Sequence, residues 1–298
     1  MITVIILAFN EEVHIARALN SVGEIAQRVV VVDSGSTDET CKIAADLGAE
    51  VLQNPWTNHA TQFNWALDQL KADTNWILRL DADEIVTPEL AAEIVGSLEN
   101  LKQEVAGVTI GRRITFLGRP IQYGGIFPIK VLRLFRNGQG RSENRWMDEH
   151  IKVAGETVEF KGEIVDDNLN SLTWWTEKHN NYASREVIDL LNLEYQFMPC
   201  DAAESFRGGQ QAGFKRWVKE RVYARLPGGV RAFAYFFYRY VVRLGFLDGK
   251  EGAAFHVLQG FWYRFLVDAK LHEVRTYMKE HGADPATAID KVLEIKVN

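Results

Sequence analysis

Three carboxylates within four residues form the first group in this chain that could do chemistry. Asp81, Asp83 and Glu84 follow an apolar run that begins at Trp76. Clustered carboxylates repel one another unless a proton or a cation lies between them. Paired carboxylates also suit a hard divalent ion that keeps water and a substrate phosphate as its other ligands. A solvated acidic turn that caps the helix starting at Thr87 is the alternative, and the cluster alone does not decide between the two.

Polar clusters also end two earlier apolar runs, and this repetition predicts how the residues are positioned. The three runs end at Asn10, Asp33 and Asp81. Such runs are typical of strands buried on both faces, and helix signals follow them. Strands alternating with helices predict an α/β fold with a mostly parallel sheet flanked by helices. Because ligands bind beyond the carboxyl ends of such strands, the three polar clusters should line one crevice.

The helix signals after the first two strands are N-terminal caps. Asn10 is a candidate N-cap, with Glu11 in the first turn, where acids suit the helix dipole. Residues 36–39 match a capping box before a helix that ends near Gly48. The first strand is followed by neither a Gly-x-Gly-x-x-Gly stretch nor a Gly-Lys-Ser/Thr loop. This disfavours classical dinucleotide-binding and P-loop enzymes.

Composition limits the compartment and the partners of the chain. Its 298 residues are 47% hydrophobic and 25% charged, as in an ordinary globular protein. The net charge of -6 disfavours nucleic acid as a partner. The two cysteines, Cys41 and Cys200, suggest no disulfide framework and fit a reducing cytosol. With no basic signal-peptide start and no apolar run of roughly 20 residues, we expect a cytoplasmic protein whose membrane contact is open.

Taken together, the three polar clusters resemble the motifs of a known family. Residues 8–11, 33–38 and 81–84 resemble, in order and spacing, the family 2 glycosyltransferases with the Rossmann-like GT-A fold. The resemblance covers the first hundred residues. It implies that Ala8, Asn10 and Glu11 line a nucleotide sugar and that Asp33 accepts a hydrogen bond from the N3–H of a uracil. A purely capping role for Asn10 is the alternative.

The resemblance also implies roles for the carboxylates of the opening cluster. Asp81 would lie near the ribose and the metal, and Asp83 would hold Mg²⁺ or Mn²⁺ against the pyrophosphate. Glu84 would belong to the turn or lie behind the ligands, so replacing it should cost less activity than replacing Asp83. Asn64 matches a nucleotide-sugar contact of the family, whereas Phe63 stands where a basic residue is usual.

Four arginines follow in a region that we interpret as strands joined by a Gly/Pro-rich loop. These are Arg112, Arg113, Arg133 and Arg136. An arginine fork suits a diphosphate, and Arg133 is the candidate for this contact with the donor. Alternation along a strand predicts that at least two of the four lie on a solvated face.

The candidate catalytic base lies next along the chain. Direct displacement at a sugar carbon needs a base within reach of the acceptor hydroxyl. Asp148-Glu149-His150 combines two acids with an imidazole after the strand pair. Glu149 is our first choice for the base and Asp148 the second, whereas an exposed acidic loop is the alternative. The lipopolysaccharide-core glucosyltransferases that the chain resembles tend to carry His-Glu here, which leaves the register open by one residue.

The last third of the chain is basic and aromatic between Phe206 and Arg243. This composition suits a helix in a membrane interface, and packing of a helical layer onto the catalytic domain is the alternative. Stacking on nucleic acid is not supported by any recognition motif. We predict a GT-A catalytic domain over residues 1–205 and a C-terminal helical region over residues 206–298. Within this region, residues 247–252 favour a loop between two helices, the second of which would run from about Ala253 to Lys279.

The sequence thus predicts an inverting, metal-dependent glycosyltransferase that is peripheral on the cytoplasmic face of the inner membrane. It would transfer a hexose, most simply glucose, from a UDP-sugar donor to a hydroxyl of a glycolipid or lipid-linked acceptor such as lipopolysaccharide core. Three alternatives stay open: a polyprenyl-phosphate sugar synthase, a nucleotidyltransferase and a non-catalytic nucleotide-sugar-binding module.

Replacing Glu149 by Gln tests the proposed base. We expect transfer to be abolished while donor binding stays nearly unchanged, because an amide cannot take the proton of the acceptor hydroxyl. Turnover and donor affinity would be measured side by side. A variant that retains most of its turnover would remove Glu149 from the mechanism.

Overall fold

The computed structural model describes residues 1–70, 74–143, 150–198 and 229–297. These residues fall into two compact units, which meet in the chain between Asn170 and Ser171. The predicted domain boundary between residues 205 and 206 lies outside the described residues and stays a prediction.

The first unit contains strands and helices in alternation, followed by further strands. The strands are β1 (Ile2–Ala8), β2 (Arg28–Asp33), β3 (Glu50–Gln53), β4 (Trp76–Asp81), β5 (Glu84–Val86), β6 (Val105–Phe116), β7 (Arg119–Pro120), β8 (Ile129–Arg136), β9 (Gly140–Ser142), β10 (Ile151–Val153) and β11 (Glu156–Asp167). The helices are α1 (Ile15–Ser21), α2 (Thr40–Asp46), α3 (His59–Asp68) and α4 (Pro88–Ser97), with a 3₁₀ turn at Leu98–Asn100.

The described strands form a large mixed sheet and a small two-stranded one. The large sheet has the order β3-β2-β1-β4-β8-β6-β11-β5, with β7 paired to β6. The pairs β1–β2, β1–β4, β2–β3 and β6–β11 are parallel, whereas β8 runs antiparallel to both β4 and β6. The predicted α/β fold, a GT-A sheet flanked by helices, is confirmed.

The register of β1 explains why the polar clusters converge. Ala8 pairs with Asp33 of β2, and Leu7 pairs with Asp81 of β4. The carboxyl ends of three neighbouring parallel strands therefore meet at one edge of the sheet. The predicted convergence of these clusters is confirmed.

Both faces of this sheet are covered, as the apolar runs predict. Val4 and Ile6 of β1 belong to one buried cluster, which includes Ile94 of α4. Ile5, between them, belongs to another cluster, which includes Phe63 of α3. Helices on both faces thus hold the strand ends in a fixed place.

The second unit is helical in its described residues. Its elements are α5 (Leu172–Tyr195), α6 (Val230–Phe237), a π-helical turn (Tyr238–Val242), a 3₁₀ turn (Gly245–Asp248), α7 (Gly249–Phe255), a second π-helical turn (His256–Trp262), α8 (Tyr263–His281) and α9 (Pro285–Leu293). Buried Leu191 of α5, Val274 of α8 and Ile289 of α9 share one cluster. No helix among the described residues has the length and apolarity that crossing a membrane requires.

The predicted helical C-terminal region is therefore present, with one correction. We predicted a loop over residues 247–252 and a helix from Ala253, but α7 already begins at Gly249. Gly249 has a positive φ of 73°, so the chain turns within this one residue before the helix starts.

Two glycines near α4 give a matched test of the packing between β11 and this helix. A Cβ on Gly162 would lie 2.4 Å from Leu90 Cα, whereas a Cβ on Gly96 would meet nothing within 4 Å. We expect Gly162→Ala to destabilise the protein by about 1–3 kcal/mol through overpacking. Gly96→Ala should leave stability unchanged or raise it by about 0.5–1 kcal/mol, because Ala favours a helix. Urea unfolding of both variants checks this, and equal effects would contradict it.

Candidate active site

Asp33 closes β2 with a fully buried carboxylate. Its Oδ2 accepts hydrogen bonds from the backbone N–H of Gly35 and of Ser36, each at 2.9 Å, and its Oδ1 accepts one from the Ser36 hydroxyl. Burial opposes ionisation, but these hydrogen bonds outweigh it and lower the pKa of Asp33. The loop folds back in this way because Gly35 takes a φ of 94°. The sheet edge therefore presents a fixed, ionised acceptor.

The loop after β1 is fastened to the loop after β2. Asn10, at a φ of 54°, donates its N–H to Ser36 Oγ at 2.8 Å, and its Oδ1 accepts from the Thr37 N–H at 2.9 Å. The Glu11 N–H donates to Thr40 Oγ1 at 2.7 Å. These bonds make one rigid wall out of two motif loops.

The capping prediction for Asn10 is wrong. Helix α1 begins at Ile15 with His14 in the N-cap position, four residues later than predicted. The side chain of Asn10 serves the neighbouring loop instead. The second helix does end beside Gly48, as predicted, and this glycine has a φ of 83°.

His14 makes contacts at this site that the sequence did not predict. Its buried imidazole accepts a hydrogen bond at Nε2 from the Leu169 N–H at 2.8 Å. The proton of the neutral ring is therefore on Nδ1, which donates to Glu11 Oε2 at 2.6 Å. His14 thus orients the carboxylate of a candidate nucleotide-binding residue. A histidine six residues beyond the end of a strand gives no sequence signal of this role.

Beneath the edge of the sheet lies a cluster of buried charges. Arg133 Nη2 donates to Asp81 Oδ2 at 2.8 Å and to Glu84 Oε1 at 2.7 Å, and the Glu84 side chain also accepts from the Asp81 N–H. Glu84 and Arg133 are nearly inaccessible, with 1% and 7% of their side chains exposed, whereas 35% of the Asp81 side chain is exposed. The cluster therefore holds Asp81 from below and leaves part of it open to the crevice.

The same cluster sets the charge on its acids. Burial opposes ionisation of Asp81, but Arg133 and Arg79 outweigh it and lower the pKa of Asp81 far below its usual range. Burial raises the pKa of Glu84 to about 7, against the opposing effect of Arg133. Asp81 is therefore fully ionised at neutral pH, whereas Glu84 is only partly ionised.

The expectation that at least two of the four arginines are solvated is wrong. Arg133 is buried, and Arg112, Arg113 and Arg136 are each partly buried with a protein partner. Arg112 pairs with Asp166, Arg113 pairs with Glu163, and Arg136 donates to the Val105 and Lys102 carbonyls. The reason for two of them is that β11 pairs with β6 and places Asp166 and Glu163 beside Arg112 and Arg113. A direct contact of Arg133 with a diphosphate stays a prediction.

Asp83 contacts the end of β11, and the sequence did not predict this contact either. Asn168 Nδ2 donates to Asp83 Oδ2 at 2.9 Å, and the Asp167 N–H donates to the Asp83 carbonyl at 3.0 Å. Burial raises the pKa of Asp166 to about 6; Arg112 opposes this shift and Asp83 adds to it. The acidic pair at residues 166–167 lies at the end of a strand, so the sequence contained the same signal here as at the opening cluster.

These acids bear on the predicted metal. No group of three or more His, Cys, Asp or Glu side chains is arranged to hold an ion within the ranges that the structure describes. Mg²⁺ and Mn²⁺, however, are commonly held by one or two carboxylates, with substrate phosphate and water as the remaining ligands. Asp81 and Asp83 are two such carboxylates at the carboxyl end of β4, and 35% of the Asp81 side chain is exposed, so this donor set fits such an ion.

Asn64 and Phe63 of α3 have structural contacts. The Asn64 side chain donates to the Ser142 carbonyl at 2.9 Å and accepts from the Ser142 N–H at 3.0 Å, so it clasps β9. Phe63 is fully buried beneath the Arg79 guanidinium, which explains an apolar residue at this position. The predicted contact of Asn64 with the nucleotide sugar stays a prediction.

The candidate bases Asp148 and Glu149 lie outside the described residues. The strands on either side of them, β9 and β10, pair with each other. The Glu143 N–H donates to the His150 carbonyl at 3.0 Å, and His150 Nδ1 lies 3.3 Å from Glu143 Oε1. Glu143 and His150, the described residues on either side of the two acids, therefore lie side by side.

Comparison with known proteins agrees with this arrangement. Residues 3–154 match the profile of glycosyl transferase family 2. The chain belongs to this family. It is also 46% identical to an uncharacterized glycosyltransferase of Rickettsia felis. The alignment covers 91% of this chain and 89% of the relative. The chain is therefore a glycosyltransferase, as predicted.

Two further likenesses cover only part of the chain. The lipopolysaccharide core biosynthesis glycosyltransferase LpsC of Rhizobium meliloti is 31% identical to this chain in the aligned part. The alignment covers 46% of this chain and 51% of LpsC. Glucosyl-3-phosphoglycerate synthase of Mycobacterium tuberculosis, solved with Mn²⁺ and UDP, aligns at 25% identity with a TM-score of 0.33. That alignment covers 38% of this chain and 44% of the synthase, and so small an overlap carries no argument about donor or metal.

Replacing Arg133 by Met tests the role of the buried charges. We expect a loss of about 3–5 kcal/mol in the free energy of unfolding, because two buried acids lose the cation that they share. Arg113→Met is the matched control: its partly exposed pair with Glu163 should contribute only about 0–1 kcal/mol. Urea unfolding at neutral pH measures both. Equal losses would show that the cluster does not support the edge of the sheet.

Proposed function

We propose that this glycosyltransferase is inverting and metal-dependent and that it transfers a hexose, most simply glucose, from a UDP-sugar to a hydroxyl of a membrane glycolipid such as lipopolysaccharide core. The observation that carries the proposal is the convergence of Asp33, Asp81 and the Asn10 loop at one edge of the sheet. At this edge, a carboxylate that can accept a hydrogen bond from a nucleobase is accompanied by a pair of carboxylates that can hold a cation against a diphosphate. The two features match the two ends of a nucleoside diphosphate.

The nucleotide would lie against the wall made by the two fastened loops. Asp33 is ionised and can accept the N3–H of a uracil, which cytosine, lacking this proton, does not offer. Ala8 pairs with Asp33 in the register and would lie near the base. Asn10 and Glu11 complete the wall, since their backbone N–H groups are already held by Ser36 and Thr40.

Asp83, with Asp81, would hold Mg²⁺ or Mn²⁺ when the donor is bound. The ion supplies charge neutralisation to the departing diphosphate. Asp81 is prepared for this role because its ionisation is ensured by Arg133 and Arg79. Asn168 fixes one oxygen of Asp83, which limits the directions in which that carboxylate can turn.

The chemical step is a direct displacement at the anomeric carbon. Glu149, or Asp148 in its place, would take the proton of the acceptor hydroxyl as its oxygen attacks from the face opposite UDP. The bond between the acceptor oxygen and the anomeric carbon forms as the bond between this carbon and the diphosphate oxygen breaks, so UDP leaves and the configuration inverts. Both acids follow β9, which Asn64 ties to the helix beside the sheet.

A membrane acceptor is supported by the relative LpsC, whose name places it in lipopolysaccharide core biosynthesis. The core of this glycolipid offers sugar hydroxyls at a membrane surface. The enzyme would work from the cytoplasm on the inner membrane, where it would act as a peripheral protein.

Release of UDP from UDP-sugars in the presence of Mn²⁺ tests the donor and the metal together. We expect release that EDTA abolishes and that Asp83→Asn lowers at least 100-fold, because the diphosphate loses its counterion. Asp46→Asn, an exposed carboxylate at the end of α2, is the control and should match the parent protein. Pyrophosphate formation from a sugar phosphate and UTP, or UDP release that is indifferent to EDTA, would overturn the proposal.

A further inference from the structure

The segment from Val230 to Phe265 has its polar and apolar side chains in unusual places. Its charged side chains Arg239 and Asp248 are 1% and 3% exposed, and His256 is fully buried. Phe233 and Val242, in contrast, are 58% and 57% exposed. In a protein surrounded by water the reverse is expected. The distribution fits an element whose outer surroundings are apolar.

The exposed apolar side chains are concentrated in this segment. Of the 23 large hydrophobic side chains exposed among the described residues, 11 lie in these 36 positions. They are Val230, Phe233, Phe237, Tyr238, Val241, Val242, Leu244, Phe246, Leu247, Val257 and Phe265. Single exposed apolar residues are ordinary, but a group of this size marks an interaction surface.

The buried polar groups are specifically packed. The Arg239 guanidinium donates to Gln259 and lies 5.3 Å from the Tyr235 ring and 5.6 Å from the Phe255 ring. His256 Nε2 lies 4.0 Å from Asp248 Oδ2. These contacts give the segment a polar interior of its own, so its apolar side chains are left for the outside.

Glycines make this interior possible. A Cβ on Gly245 would lie 2.5 Å from His256 Nε2, and a Cβ on Gly252 would lie 2.2 Å from the Asp248 Cβ. The chain also takes π-helical turns at Tyr238–Val242 and at His256–Trp262. The close packing shows that the inward placement of Arg239, Asp248 and His256 is built into the backbone.

The charge of the segment indicates the chemistry of its partner. Five Lys and Arg residues and two acids lie between Val230 and Phe265, in a chain whose net charge is -6. Arg243 and Lys250 are exposed in the same segment as the apolar side chains. Lys250 Nζ lies 3.8 Å from Glu251 Oε1, and 91% of the Lys250 side chain is accessible. Exposed aromatic and aliphatic groups bordered by cations match an interface between anionic headgroups and acyl chains.

From these observations we propose that the surface of residues 230–265 docks on an anionic lipid bilayer as a monotopic element. Phe233, Phe237 and Val242 enter the acyl boundary while Arg243 and Lys250 contact headgroup phosphates. The inference rests on the proposed membrane acceptor and specifies the part of the chain that brings the enzyme to it.

Flotation of the full chain with vesicles tests this surface. We expect binding to vesicles of phosphatidylcholine with phosphatidylglycerol, weaker binding to phosphatidylcholine alone, and partial loss in high salt. The double variant Phe237→Asp with Val242→Asp should bind at least tenfold less. Leu193→Asp replaces an apolar side chain of α5 that is 64% exposed, and it should bind like the parent protein.

Two further measurements separate this surface from the reaction. Circular dichroism must show parent-like thermal unfolding of the double variant, and its release of UDP from a UDP-sugar should equal that of the parent. If neither the parent nor any variant releases UDP while flotation behaves as expected, the proposed function is wrong and the membrane surface is still supported. Parent-like flotation of the double variant would overturn the inference. The inference would also be overturned if the parent protein formed a dimer without lipid and the double variant did not, because the surface would then bind a second copy.

Discussion

The candidate site depends on one buried cation shared by two acids. Arg133 lies beneath the sheet edge and contacts Asp81 and Glu84 together. Burying these charges is costly, and the geometry offsets the cost only while all three are present. The arrangement keeps Asp81 ionised at a partly exposed position, where an ion and a diphosphate would need it. Carboxylates without this support would take up protons or turn towards water.

The remaining features fix what surrounds these carboxylates. The loops after β1 and β2 are joined by the hydrogen bonds of Asn10, and His14 links Glu11 to Leu169 near the end of the first unit. Asn168 restrains Asp83. Each contact limits motion at the sheet edge before any ligand binds, and such preorganisation lowers the entropic cost of binding.

Sequence patterns predicted most of this frame and missed its cross-connections. Apolar runs ending at Asp33 and Asp81 revealed the parallel strands, because burial on both faces leaves a direct compositional signal. The pairing of Arg133 with Asp81 joins residues 52 positions apart, so it depends on the antiparallel placement of β8. The capping prediction for Asn10 was wrong because a neighbouring loop competes for its side chain. Local propensity contains no information about such a competitor.

The clasp between Asn64 and Ser142 has a consequence for how this enzyme could diversify. Both backbone groups of Ser142 are held by one amide, and the next residue, Glu143, donates its N–H to the His150 carbonyl just before β10. The two described residues that border the candidate bases Asp148 and Glu149 are therefore held by contacts that do not involve the nucleotide wall. Changes in sequence between Glu143 and these bases could alter acceptor preference, while the donor half of the enzyme is inherited intact.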